Sequence, residues 1–289
     1  MRVLASVVLA FFVASCSGPS SQKPANGAIQ VVTTISTFNS MVEAVGGDRV
    51  QVKSLVPVGA SPEEYQPTPQ DVATLSQAAL LVENGAGLET WLGKTIANVK
   101  SSTLRTVVAS NGLQVKNQNP HLWMDPVNAK HYAFAIRDGL IMIDPQHADF
   151  YKKNARRYAA SLDELEASIA RKIDAIPPSR RYMIVFHNAW QYYNDRFGLT
   201  SLGFIEANPG QDPNPQQVAR LIDLAREHQV RAIFTEPEYS AKIAQQIASN
   251  ANIKVVDNLY DDSIGTDPRV STYIGMMNYD TDVIVKALR

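Results

Sequence analysis

A single cysteine, Cys16, occurs among the 289 residues. A disulfide framework is therefore excluded, and the fold must stand on packing and hydrogen bonding alone. Charge of one sign is also lacking: the formal net charge is -1, and no run of Lys or Arg appears. That removes the electrostatic footprint expected of a nucleic-acid-binding chain. The apolar run at residues 3–14 is shorter than the roughly 20 residues a spanning helix needs. No His-Glu-x-x-His, Gly-x-Ser-x-Gly or P-loop motif is present, which leaves hydrolysis by those routes without support.

What is present is a globular composition, 45% hydrophobic and 19% charged. The first residues read as export signals rather than as fold. Arg2 gives a positive start, an apolar stretch follows, and Val13-Ala14-Ser15-Cys16 closes it with small residues. Residues 1–15 are thus expected to be a signal peptide. The ending resembles a bacterial lipobox, so Cys16 is expected to be lipidated, with residues 16–28, rich in Ser, Pro, Gly and Asn, as a flexible tether. Such an anchor holds a protein on the outer side of a bacterial membrane, in the periplasm or on the cell surface, without crossing it. An ordinary cleaved signal peptide with a free product is the alternative.

Residues 144–177 form the stretch around which the rest is organised. Tyr151, Ala155, Tyr158, Leu162, Leu165, Ile169, Ile173 and Ile176 recur in steps of three and four, the pattern of one buried helical face. Asp144 can cap the first turn, Pro145 suits the N1 position, and Pro177-Pro178 stop the helix. At 1.5 Å per residue the rod would be about 45 Å long, enough to run the height of a domain. On either side, residues 29–143 and 178–289 alternate strand and helix. This predicts an α/β fold of two similar lobes, each with a parallel sheet flanked by helices, joined by one spine helix.

In open α/β sheets ligands bind beyond the carboxyl ends of strands. The loops expected there bring Glu63 and Glu64, His121, His187, and the acids Asp257, Asp261 and Asp262. Two imidazoles with two carboxylates suit a borderline divalent ion such as zinc, manganese or iron. Scattered polar loop residues would account for the same list, because the spacing is too wide for a local motif. His131, His147 and His228 fall within helices and read as structural or solvated.

Four segments carry a resemblance to a known family. They are residues 59–69, with Ser61-Pro62-Glu63-Glu64-Tyr65; Pro120-His121-Leu122-Trp123-Met124-Asp125-Pro126; Phe186-His187-Asn188-Ala189-Trp190; and Leu259-Tyr260-Asp261-Asp262-Ser263. From about Ile29 onward the chain resembles the cluster A-I solute-binding lipoproteins of bacterial ABC importers, which take up zinc, manganese or iron. The resemblance implies two lobes on a spine helix and a metal held by Glu63, His121, His187 and Asp262, with Asp261 or Asp257 as substitutes for the last. It also implies a permease partner, a monomer and no enzymatic activity. Glu63 departs from the family, which usually has histidine there; a carboxylate oxygen makes the site harder and more negative. The short loop at 111–119 lacks the acid- and His-rich insertion of many zinc members, whereas the surroundings of His121 and His187 look zinc-like, so the ion stays open. A surface adhesin with a degenerate metal site and a metallohydrolase are the competing readings.

Overall fold

The computed structural model describes residues 27–206 and 210–289. The expected signal peptide, Cys16 and most of the tether lie outside the described residues. The first sheet is built from β1 (Ile29–Thr33), β2 (Val50–Ser54), β3 (Leu80–Glu83) and β4 (Arg105–Val108). Between them run α1 (Asn39–Gly46), α2 (Pro69–Gln77) and α3 (Leu92–Ala97), and α4 (Pro126–Ile143) follows. Then comes α5 (Ala148–Asp174), the long helix. The second sheet holds β5 (Tyr182–Val185), β6 (Thr200–Phe204), β7 (Ala232–Phe234) and β8 (Lys254–Val256), with α6 (Gln191–Phe197), α7 (Pro215–Glu227) and α8 (Lys242–Ala251) between strands. The last element is α9 (Tyr273–Leu288).

Each sheet has four strands, ordered β2-β1-β3-β4 and β6-β5-β7-β8, and every pairing is parallel. The two orders are the same, so the lobes repeat one topology, as the alternating pattern predicts. Parallel strands need crossovers, and the helices that supply them cover both faces. Short apolar strands such as Met183-Ile184-Val185 are accordingly buried throughout.

Local chemistry sets the helix starts. The Asp125 side chain accepts from Val127 N, with Pro126 as the first helical residue of α4. Asn214 does the same for Gln217 N ahead of Pro215 in α7, and Asp71 Oδ2 accepts from Thr68 N at 2.7 Å at the start of α2. Gly139 lets α4 lie close on β4, since a Cβ there would stand 2.3 Å from Val107 Cγ2.

One expectation is corrected in part. Asp144 stands at the N-cap of the first turn with Pro145 following it, but its side chain makes no capping bond: the carboxylate accepts from His147 Nδ1 at 2.7 Å and Tyr151 Oη at 2.6 Å. A 3-10 turn at Pro145–His147 intervenes, and α5 begins at Ala148, giving a rod of about 40 Å. Helix α3 starts only at Leu92, although the strand before it ends at Glu83. Glu89 is turned back to accept from Asn84 N and Gly85 N, which holds the preceding segment as a turn.

The core is continuous across the molecule. Phe38, Trp123 and Tyr132 of the first lobe, Leu162 and Ile169 of α5, and Trp190 and Tyr193 of the second lobe belong to one buried cluster. Helix α9 ties back as well: Tyr273 N donates to Ser40 Oγ at 2.9 Å, and its hydroxyl to Trp123 O at 2.7 Å. Arg196 on α6 grips Asp125 at the start of α4 with two nitrogens, at 3.0 and 2.8 Å. The lobes are thus stitched together on this side of the cleft, which leaves little room for wide hinge motion.

Candidate metal centre

All the candidate residues lie beyond carboxyl ends of strands, as a parallel sheet dictates. Glu63 follows β2, His121 follows β4, His187 follows β5 and Asp262 follows β8. The structure brings three of them into one cluster: ligand-competent atoms of His121, His187 and Asp262 all lie within 4.8 Å of one another. The two Nε2 atoms are 3.2 Å apart. Asp262 spans the pair, with Oδ1 3.4 Å from His121 Nε2 and Oδ2 3.7 Å from His187 Nε2. The three residues are 2%, 4% and 1% exposed, so any charge here must be met from within the protein.

The other face of each ring is already engaged. His187 Nδ1 donates to Glu236 Oε2 at 2.7 Å; a carboxylate only accepts, so the proton is on Nδ1. His121 Nδ1 contacts Asn119 Oδ1 at 3.0 Å. The orientation of that amide follows from its other end, where Nδ2 donates to Asn188 O at 2.6 Å across the cleft. Both rings therefore turn Nε2 toward the shared gap.

The acidic loop is fixed by the first lobe. Asp261 O accepts from Trp123 Nε1 at 2.9 Å and from Thr37 Oγ1 at 3.2 Å, and Asp262 N donates to Asp261 Oδ1 at 2.6 Å. Both carboxylate oxygens of Asp262 are buried, and their only polar neighbours among the described side chains are the two imidazole Nε2 atoms. Asp261 falls instead into a second group with His187 and Glu236. Asp257 is exposed and accepts from Thr235 Oγ1 at 2.9 Å, away from the pair.

Glu63 stands outside the tight cluster, half-buried, with Oε2 inaccessible and without a hydrogen bond. Its proline-rich loop is clamped by Trp91, whose Nε1 donates to Pro62 O at 2.8 Å. Across the cleft, Gly59 N donates to Ser263 Oγ at 3.2 Å, and that hydroxyl donates to Glu238. Glu64 is exposed and leans against Gly210.

Burial lifts the Glu63 carboxyl above its ordinary value, with the imidazoles opposing and Asp262 adding to the rise. Burial also pushes Asp261 well up, reinforced by Glu236, and lifts Glu238 to about 7. Asp262 goes the other way: burial would raise it, but the bond and charge shared with His121 hold it below the ordinary carboxyl range. For His187, burial opposes the charge, yet Glu236 and Asp261 outweigh it and hold the imidazolium well above its ordinary value. The cleft thus demands positive charge, from protons or from a cation.

Glu236 and Asn119 are absent from the candidates drawn from sequence. Glu236 sits beyond β7, the same kind of position as His187 beyond β5, and that placement is the signal that could have found it. Asn119 lies two residues before His121 and carries no ionisable group to draw attention.

The family model of the periplasmic zinc-uptake complex component A, ZnuA, matches residues 31–287. The manganese-binding lipoprotein MntA of Halalkalibacterium halodurans is 29% identical over 288 residues, covering 98% of this chain and 96% of the relative. The iron-binding protein YfeA of Yersinia pestis is 32% identical over 265 residues, covering 89% and 85%. Among solved structures, a manganese-bound periplasmic metal binding protein from Candidatus Liberibacter asiaticus superposes with a TM-score of 0.81 at 27% identity, over 90% of this chain and all of that one. The manganese ABC transporter substrate-binding lipoprotein PsaA of Streptococcus pneumoniae is 30% identical over 309 residues, covering 100% of this chain and 99% of the relative. With two parallel four-stranded lobes, a long connecting helix and a match over nearly its whole length, the chain belongs to this family of metal-binding solute-binding proteins of ABC transporters.

Proposed function

We propose that this protein captures a divalent transition-metal ion in the cleft between its lobes and hands it to the membrane permease of an ABC importer. Zinc and manganese are the leading cargoes, with iron as the third. The ligands in this reading are His121 and His187 through Nε2, Asp262, and Glu63. One observation carries it: two imidazole nitrogens face each other 3.2 Å apart beside a carboxylate with no other partner. Two nitrogens bound to one ion at 2.0–2.1 Å in tetrahedral array would be about 3.3 Å apart.

Two imidazoles with two carboxylates formally neutralise a divalent cation. Ligands drawn from both lobes let the ion favour a closed arrangement, and the permease need only bias that equilibrium to release it. The contacts around Arg196, Asn119 and α9 restrict the lobes, and the Glu63 loop is held across the cleft by the bond from Gly59 to Ser263. The wider reading takes Cys16 as lipidated after removal of residues 1–15, a tether to residue 28, lobes at 29–143 and 178–289 on a spine at 144–177, and a monomeric protein outside the cytoplasmic membrane.

Titrating the metal-free protein with zinc, manganese and iron(II) salts tests it. Saturable one-to-one binding of at least one ion is expected. A folded protein that binds none would return the chain to the adhesin reading.

A further inference from the structure

We infer that Glu236 is the positioning residue that makes His187 a metal ligand, and that it is not itself a ligand. This rests on the reading of the cleft as a metal site. The geometry is specific. Glu236 Oε2 is 2.7 Å from His187 Nδ1, on the side of the ring away from His121 and Asp262. A carboxylate accepts and cannot donate, so it selects the form of the ring with hydrogen on Nδ1, the form whose Nε2 lone pair is available to an ion. The same bond fixes the ring's rotation about its χ2 axis, and it increases the donor strength of Nε2.

The support for Glu236 is rigid. It lies two residues beyond the end of β7, is 3% exposed, and is succeeded by Pro237. The preceding residue is pinned on both sides: Thr235 N donates to Val256 O at 3.0 Å, and Thr235 O accepts from Leu259 N at 3.0 Å. Tyr239 flanks the ring of His187 at a centroid distance of 5.6 Å and limits its tilt. His121 is treated differently. Its neutral partner, Asn119, comes from the same loop and depends on Asn188 across the cleft for its own orientation. The second lobe therefore sets its nitrogen with a carboxylate of its own, while the first lobe's nitrogen is set by a neutral amide held both by His121 N and by Asn188 across the cleft.

The test is a double-mutant cycle on metal affinity, with zinc and manganese salts as probes and a competing chelator to read tight binding. Glu236→Ala is expected to weaken binding about 10–100-fold. Glu236→Gln should fall between Ala and the parent, since its oxygen can still accept but its amide nitrogen can select the wrong tautomer. In a His187→Ala background, Glu236→Ala should cost less than about 3-fold more, because its partner is gone. Thermal unfolding of each metal-free variant separates loss of fold from loss of ligation. The same loss in both backgrounds would overturn the proposal, since it would mark Glu236 as a ligand or a mere charge; so would an unchanged affinity in folded Glu236→Ala. If the parent protein bound neither ion, the metal-site reading itself would fail instead.

Discussion

His121 and His187 come from different sheets, yet their Nε2 atoms meet at 3.2 Å in the closed cleft. Two neutral rings with lone pairs facing at that distance repel. A proton shared between them, or a cation bound by both, turns the repulsion into attraction. Glu236 and Asp261 favour the charged form of His187 against the opposing effect of burial, which favours a proton in the gap when no metal is there. Proton and metal ion are then competitors for one place.

It follows that loading releases protons. Calorimetric titration in buffers of differing ionisation enthalpy, near pH 7, should show roughly one proton or more released per ion bound. Binding with no proton exchange would contradict the competition.

The sign of the pH effect on stability also follows. The folded value of His187 is raised above its ordinary 6.5, so its charge stabilises the metal-free fold below that pH, and the contribution is lost as pH rises through the folded value. Metal binding strengthens over the same range because the ring no longer needs to lose a proton. The gain in melting temperature on adding a fixed excess of zinc or manganese should therefore grow from pH 6 to pH 8. At ligand concentrations about 1,000 times Kd it corresponds to roughly 4 kcal/mol, removable by chelator. A gain that shrinks as pH rises would contradict this.

Glu63 tunes the choice of ion. Glu63→His replaces a hard oxygen by an imidazole and should shift the zinc-to-manganese affinity ratio toward zinc by about tenfold or more. Competition titration measures the ratio directly. An unchanged ratio would remove Glu63 from the ligand set.

Arg196 contributes to stability rather than to binding. Its guanidinium joins Asp125 at the start of α4 to α6 and stands 3.6 Å from Glu166 on α5. Arg196→Ala should lower stability by about 1–2 kcal/mol in urea unfolding, discounted for partial exposure. Metal affinity in the variant should stay within a few-fold of the parent.

Much of this architecture was legible in local chemistry. The pairs Asp125-Pro126 and Asn214-Pro215 mark helix starts that the side chains then make as hydrogen bonds. His121 and His187 could be placed beyond strands because apolar runs of strand length precede them. Long-range partners were not legible. Asp144 reads as a side-chain cap until His147 and Tyr151, one and two turns along, are seen to take its oxygens. Glu236 lies 49 positions from the imidazole it holds. Asp261 and Asp262 are adjacent acids in sequence, and only the distances from Asp262 to the two Nε2 atoms show which carboxylate spans the histidine pair.

The most direct test is a crystal structure of the protein soaked or grown with manganese or zinc, with anomalous scattering used to place the ion. The account predicts one ion between the lobes, bound by Nε2 of His121 and of His187 and by oxygens of Asp262 and Glu63, at about 2.0–2.3 Å. An ion bound elsewhere, or one that reaches only a single imidazole, would contradict it.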